Sequence, residues 1–538
     1  MLNKKPICLL FIFLLVLVGC AKRGTINGGF KDTLAPVLKV SFPKNYTTSF
    51  KGNLFKLTFD EYVKLKNINK QLIISPPMTL APEISPTTAS KSITIKIKDT
   101  LQPNTTYSFN FGQSIEDNNE GNPYRQFKYV FSTGSYIDSL SLSGIIKDAH
   151  DKKTDSFVTV MLYAINDNYN DSLVYKQNPR YVTNTLDSSE TFKLENLKAG
   201  KYLLVGIKDQ NSNYKFNPKT EKIGFHRQYI TIPNDSVYQI KLFKEANAFK
   251  AFKPTQASGD RILMGYEGNP KDVRLLLKKD TQDLAVIVTK FPKKDSLQLW
   301  YKPIKIVEPN KIDSLHLQVA KEKYTENFAF KIKNQKVDSL SFSPKQNGSL
   351  PLGEFFTLNS ATPLTKFDLS KIKLTNKDSV NIAFTTEYDE MNMELKFVFQ
   401  KEPLEKYKLQ LLPGALTDFM EQINDSIAYK FDTKNTSDYA NLRLDLENVK
   451  QFPVIIELTD KNGAVQYTAF SESATQIDFN LIKPDLYTLR VIYDVNKNKT
   501  WDPGSFLEKR QSEEVIYFPK EIDVRANWDV VQPFNLKP

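Results

Sequence analysis

Apolar and polar residues alternate with a period of two through almost the whole chain, in short runs closed by Pro, Asn, Asp or Gly. "FKLTFDEYVKL", "KSITIKIKD", "TYSFNFGQS", "FKYVFSTG" and "FVTVMLYAI" are typical. This spacing sends every second side chain to one face of a strand, so each run carries one face that another sheet must cover. Such strands, returning every ~8 to 12 residues, predict β-sandwiches. The 28 Pro and 20 Gly suit many turns and few helices. Helical spacing appears only weakly, in "ALTDFMEQI" at 415–423.

The first twenty residues, "MLNKKPICLLFIFLLVLVGC", set Lys4 and Lys5 ahead of an apolar run that ends at Gly19 and Cys20. The run is shorter than the ~20 apolar residues a membrane span needs, so 1–19 reads as a signal peptide. "LVGC" resembles a bacterial lipobox, which implies cleavage before Cys20 and diacylglycerol on its sulfur. The only other cysteine, Cys8, leaves with the leader, so the mature chain is expected to hold no disulfide. By resemblance to lipoprotein sorting, Ala21 favours the outer membrane over the inner, while Lys22 and Arg23 leave both its faces open. A glycine-containing tether, 20–34, follows the anchor. The formal charge of the whole chain is +12, spread thinly, which suits solubility or contact with anionic lipid and acidic glycan. No basic cluster with interleaved aromatics is present, so nucleic acid is not an expected partner.

Residues 35–134 contain "APVLKVSFPKN", "LTFDEYVKLKN", "LIISPPM", "LQPNTTYSFNFGQSIEDNNEGNP" and "FKYVFSTG" in order. This set resembles the S-layer-type bacterial Ig-like domain, the fifth Big family, with Asp60 and Glu61 at its acidic pair. Residues 138–244 carry a G-x-x-x-D opening, a V-x-V-x-L strand and a corner formed by Phe192, Leu194, Asn196, Leu197, Gly200 and Tyr202. They resemble the prealbumin-like sandwich of carboxypeptidase regulatory domains, which implies a binding or spacer module. An offset of 285 places Tyr202 on Tyr487, Asp209 on Asp494 and Pro218 on Pro503, making 436–538 a second copy. A fainter echo at 345–435 reads as a degenerate Ig-like sandwich, and 245–344 as a further sandwich. The expected fold class is therefore all-β, a row of tandem Ig-like and prealbumin-like sandwiches on a lipid-anchored tether.

The two prealbumin-like copies share a loop with oxygen side chains at alternate positions, "DQNSNYKFNP" and "DVNKNKTWDP". An EF-hand needs Gly at its sixth position and a bidentate Glu at its twelfth. Counting from Asp494, those positions hold Lys499 and Ser505. Asn and Asp also form Asx-turns unaided, so the loops read as structural hairpins. A weak calcium site at Asp494, Asn496, Asn498 and Asp502 is the alternative, with Asp209, Asn211, Asn213 and Asn217 the poorer of the two. No other cofactor is expected. Trp501, matched by Phe216, reads as a plug folding the loop onto its own sandwich.

His150, His226 and His316 lie far apart, and no G-x-S-x-G elbow, G-K-[ST] loop or G-x-G-x-x-G turn occurs. No catalytic residues are assigned, and the chain is not expected to be an enzyme. The expected role is a non-catalytic outer-membrane lipoprotein, anchored through acylated Cys20 and acting as a scaffold for other envelope proteins. The alternative is a glycan-binding lipoprotein for capsule, lipopolysaccharide or nutrient polysaccharide, which requires an exposed aromatic platform.

Overall fold

The structure, a computed structural model, describes residues 32–186, 190–303 and 313–537. Residues 1–19, expected to be a leader, and Cys20, expected to be lipidated, lie outside them. Among the described residues no helix is long and apolar enough to cross a membrane. They fall into two compact units: one runs to Ser139 and includes Asn196–Lys198, and the other holds the remainder.

The first unit shows how the period of two becomes a core. In Leu54–Leu65 the side chains of Phe55, Leu57, Phe59 and Val63 are buried, while Leu54, Lys56 and Asp60 face solvent. One sheet runs Leu38–Phe42, Leu54–Leu65, Ser90–Lys96, Glu83–Ser85, with Ile115–Asp117 paired to the far half of the long strand. The facing sheet is Ile73–Ser75, Thr106–Asn110, Lys128–Ser132. Phe55 stacks on Tyr129 between them at 3.9 Å. Burying a side chain of that size contributes ~2–3 kcal/mol before ordering costs.

Within the second unit, residues 342–432 repeat this strand order. Phe342–Pro344, Phe356–Ser360, Glu394–Val398 and Thr385–Asp389 form one sheet, and Ile372–Thr375, Lys406–Leu411 and Ile427–Asp432 the other. A polar corner is repeated as well. The Tyr107 hydroxyl accepts from the Gln102 amide at 2.9 Å, and Thr133 Oγ1 accepts from Thr105 N and donates to Gln102 O. Three hundred residues later Tyr407, Glu402, Glu405 and Thr433 make the same bonds, the first at 2.8 Å. The faint echo is thus a second copy of one topology. Its 415–423 stretch is not a helix: Leu416–Asp418 is a strand paired to Leu364–Phe367, and Asp418 Oδ1 then accepts the Met420 and Gln422 amides to close a turn. Nine residues with apolar groups either side of a turn imitate a helical period without forming one.

Residues 140–242 and 440–535 also share one topology. Each has a three-stranded sheet whose first and last strands run parallel, Leu140–Asp148 with Val237–Leu242 and Ala440–Glu447 with Asp529–Asn535. The facing sheets centre on Gly200–Ile207 and Asp485–Tyr493. The remaining sandwich lies between the repeats. It packs a sheet around Arg261–Glu267 and Ser296–Tyr301 against another around Arg274–Lys279 and Asp313–Lys321.

In the first sandwich, the buried Asp117 organises the acidic loop. Its carboxylate accepts the Glu120, Gly121 and Asn122 amides at 2.6, 3.0 and 2.7 Å. Burial alone would raise this carboxyl, but the amides of Asn122, Gly121 and Glu120 bring it down to about 2. Because the folded-state value is depressed, its stabilisation is present above the ordinary carboxylate range and is lost as pH falls through about 2. Hydrogen exchange of the Lys128–Ser132 peptide should therefore accelerate as pH drops from 4 towards 2, after correction for intrinsic rates. Asp117→Ala should lose that dependence and cost ~1–3 kcal/mol by removing the charged acceptor of three part-buried amides. An unchanged acid response in the variant would show that another group carries it.

Candidate functional site

The shared loops of the two copies at 140–242 and 440–535 are built outward from one aspartate each. Asp494 is buried, and its two oxygens accept the Asn498 and Lys499 amides at 3.0 and 2.9 Å. Asp209 accepts the matching amides of Asn213 and Tyr214, and that of Asn211. Further along, Asp502 Oδ2 accepts from the amide nitrogens of both Asn496 and Asn498 at 2.6 Å. The Oδ1 atoms of Asn496 and Asn498 accept the Asn498 and Thr500 backbone amides. Asn496, Asn498 and Asp502 are thus brought together, with Asn496 Oδ1, Asn498 Oδ1 and Asp502 Oδ2 engaged inside the loop. In the other copy Asn213 and Asn217 instead cap the amides of Lys215 and Lys219. Among the described residues no group of three His, Cys, Asp or Glu is placed to hold a metal.

A buried glutamate closes each loop, and sequence reasoning missed both. Glu221 accepts the Gln210 and Asn217 amides at 3.0 and 2.9 Å, and Glu513 accepts those of Val495 and Asp502 at 2.7 and 3.0 Å. Burial raises both carboxyls, the two amides oppose it, and for Glu513 the charges of Asp502 and Asp494 add to the rise. The constant offset hides the pair, because two residues separate Pro218 from Glu221 whereas nine separate Pro503 from Glu513.

The longer segment in the second copy lies against the first. Phe506 is fully buried beside Phe225 and Tyr175, with ring centroids at 5.3 and 6.1 Å. Its amide donates to Glu245 Oε1 at 2.5 Å. Lys509 sits over the Phe506 ring at 4.2 Å and pairs with Asp171 at 2.6 Å, and Gln511 donates to the Phe225 carbonyl. Gly504 is required by closeness: a Cβ there would overlap the Phe243 ring and lie 2.7 Å from the Arg510 carbonyl oxygen. Removing a buried phenyl group of this kind costs ~3–5 kcal/mol. The sandwiches are therefore not simply in a row, since the last packs onto the second.

A polar chain runs through the same contact. Glu457 holds the buried Arg490 at 2.6 Å, Arg490 donates to the Tyr517 hydroxyl at 3.1 Å, and Tyr517 donates to the His150 carbonyl at 2.6 Å. Nearby, Lys222 is held by Asp148 and Asp155 at 2.6 and 3.0 Å. Burial opposes its charge, but the two aspartates raise its pKa above the ordinary lysine range. A cleft of about 1190 Å³ opens here, lined by Asp155, Lys222, Asp460, Lys461, Arg490 and Glu521 among others. Its lining carries acidic and basic side chains in equal number, so it favours neither anions nor cations.

Trp501 corrects the plug expectation in part. Its indole donates to the Glu513 carbonyl within its own loop, but its ring lies on His150 of the other copy at 4.6 Å. Phe216 does pack within its own copy, against Tyr175 on the short helix Leu173–Lys176. The second copy has a tight turn at that point, between Val454–Thr459 and Val465–Ser471, so Trp501 meets the neighbouring copy instead. Trp300 is buried, and Trp528 is half exposed under Arg525.

A family model described as a bacterial Ig-like domain matches residues 32–133, the first sandwich. No curated protein matches the chain. Among solved structures, domains 1–6 of the surface layer protein SbsC align at 11% identity over 91% of this chain and 67% of that one, with a TM-score of 0.16. The BSP domain of a biofilm associated protein aligns at 8% identity over 96% and 99%, with a TM-score of 0.15. Titin domains I67–I69, in an E-to-A mutated variant, align at 9% over 56% and 98%, with a TM-score of 0.14.

With most of the loop oxygens already engaged by internal donors, calcium titration followed by Trp501 fluorescence should give no saturable change below about 1 mM, the weak end of extracellular sites. A saturable response abolished by Asp502→Asn would establish the alternative metal reading.

Proposed function

We propose that the chain is a non-catalytic scaffold of a bacterial cell envelope, held to the outer membrane by diacylglycerol on Cys20 and engaging other envelope proteins through its sandwiches. The observation that carries this reading is the use made of the paired loops. In a sandwich the loops at one end are the usual place for a site, and here the longer loop is spent on joining one sandwich to another. The bacterial Ig-like domain at 32–133 agrees with a structural rather than an enzymatic role. Sheet edges and inter-sandwich grooves would then be the surfaces offered to partners.

Glycan binding stays as a second reading because of one groove of about 830 Å³, lined by Phe249, Phe252, Tyr324 and Phe328 together with Glu267 and Glu326. Phe252 is exposed there, and Phe249 meets Tyr324 edge-on at 5.4 Å. Aromatic faces beside carboxylates are what a sugar would stack on and hydrogen-bond to.

Crosslinking in cells followed by affinity purification from membranes should recover a stoichiometric envelope protein. Cys20→Ala should release the folded chain from the membrane fraction. Recovery of the chain alone, with binding to envelope polysaccharide lost in Phe252→Ala, would replace the scaffold reading by the glycan one.

A further inference from the structure

The first sandwich carries an apolar stripe on the outside of its edge strand. Register decides which side chains share that face. Val40 lies opposite Thr58, and Phe42 opposite Lys56, on the side away from the buried Leu57 and Phe59. Leu54 is two residues from Lys56 on the same side, and Lys96 is opposite Leu54. Val37 continues the stripe beside Asp60, whose carboxylate accepts the Val37 amide at 2.8 Å. Val37, Val40, Phe42 and Leu54 are all exposed, Phe42 at 75%. Four large apolar side chains side by side on a solvent face, with Lys56 and Lys96 next to them, mark a contact surface.

Two features set this surface against pairing with another strand. The edge strand Leu38–Phe42 has only five residues, and its register is broken by a bulge between Leu38 and Val40, next to the exposed Lys39. Short length, a bulge and an edge lysine are the devices that block edge-to-edge association. The position in the chain points elsewhere. Val37 lies seventeen residues after Cys20, so it stands no farther than about 60 Å from that position even along a fully extended chain. Apolar groups that insert shallowly, beside lysines facing anionic headgroups, suit a lipid surface.

We propose that Val37, Val40, Phe42 and Leu54, flanked by Lys56 and Lys96, rest on the anionic lipid surface to which the chain is anchored, an inference that builds on the acylation of Cys20 proposed above. The contact would add a second point of attachment to the acyl group and fix how the first sandwich stands on the bilayer.

The test uses the mature chain from Cys20, whose single thiol is coupled to maleimide lipid in vesicles, so the outcome does not depend on whether cells acylate it; that question is answered separately by fractionating Cys20→Ala. Phe42→Trp, read as a difference from the parent chain, should lose about half its added emission to bromine-labelled acyl chains, because interfacial side chains sit ~5–10 Å into the boundary. This is expected on phosphatidylcholine–phosphatidylglycerol vesicles at low salt, with severalfold less quenching on phosphatidylcholine alone. Phe252→Trp, in the other unit, should be unaffected. Adding Val40→Glu should abolish the quenching. No quenching on either vesicle, or quenching that survives Val40→Glu, overturns the proposal. Self-association in solution that Val40→Glu removes, without quenching, also overturns it and assigns the stripe to a second copy.

Discussion

The burial of one phenyl ring, Phe506, joins the last sandwich to the second. It belongs to the last sandwich and lies beside Phe225 and Tyr175 of the second, and its amide is held by Glu245, about 260 residues earlier along the chain. A contact between segments so far apart carries a high ordering cost, and a rim of polar bonds alone would not offset it. The buried ring supplies the apolar term. Lys509 with Asp171 and Tyr517 with His150 fix the register around it.

This contact follows from how duplicated sandwiches diverge. The topology of the first sandwich and that of the second occur together twice, and the last strand of the one is followed by the first strand of the other after the same interval, Ser132 to Leu140 and Asp432 to Ala440. Two identical copies would meet through identical loops. Here the first copy has a helix where the second has a tight turn, and the second has nine residues where the first has two. Each change complements the other, since Tyr175 on that helix lies near both Phe216 and Phe506. The asymmetry converts a shared hairpin into a one-way clasp.

The sandwich class was readable because burial of one strand face imposes the period of two directly on the sequence, as in Leu54–Leu65. The 285 offset was readable because Asp209 and Asp494 hold equivalent turns by backbone amides, which constrains side-chain type and spacing alike. Glu221 and Glu513 were hidden by the length change between them. The 300-residue repeat was visible only as an echo, because its shared signal is Tyr107 and Tyr407 five residues after the amide each caps, amid strands whose core residues interchange freely. The clasp itself left no local trace: nothing about Phe506 in sequence distinguishes a ring that covers its own core from one that enters another.

The zero-length crosslink between Lys509 and Asp171 tests that clasp most directly, because carbodiimide joins an ammonium only to a carboxylate it already touches. Their 2.6 Å pairing predicts an amide-linked peptide joining the two residues in the monomer band, and its loss in Phe506→Ala. The pairs Lys450–Glu514 and Lys345–Glu394, at 2.8 and 3.0 Å within single sandwiches, should link in both proteins. Efficient linking of those controls with no 509–171 product in the parent chain would contradict the account.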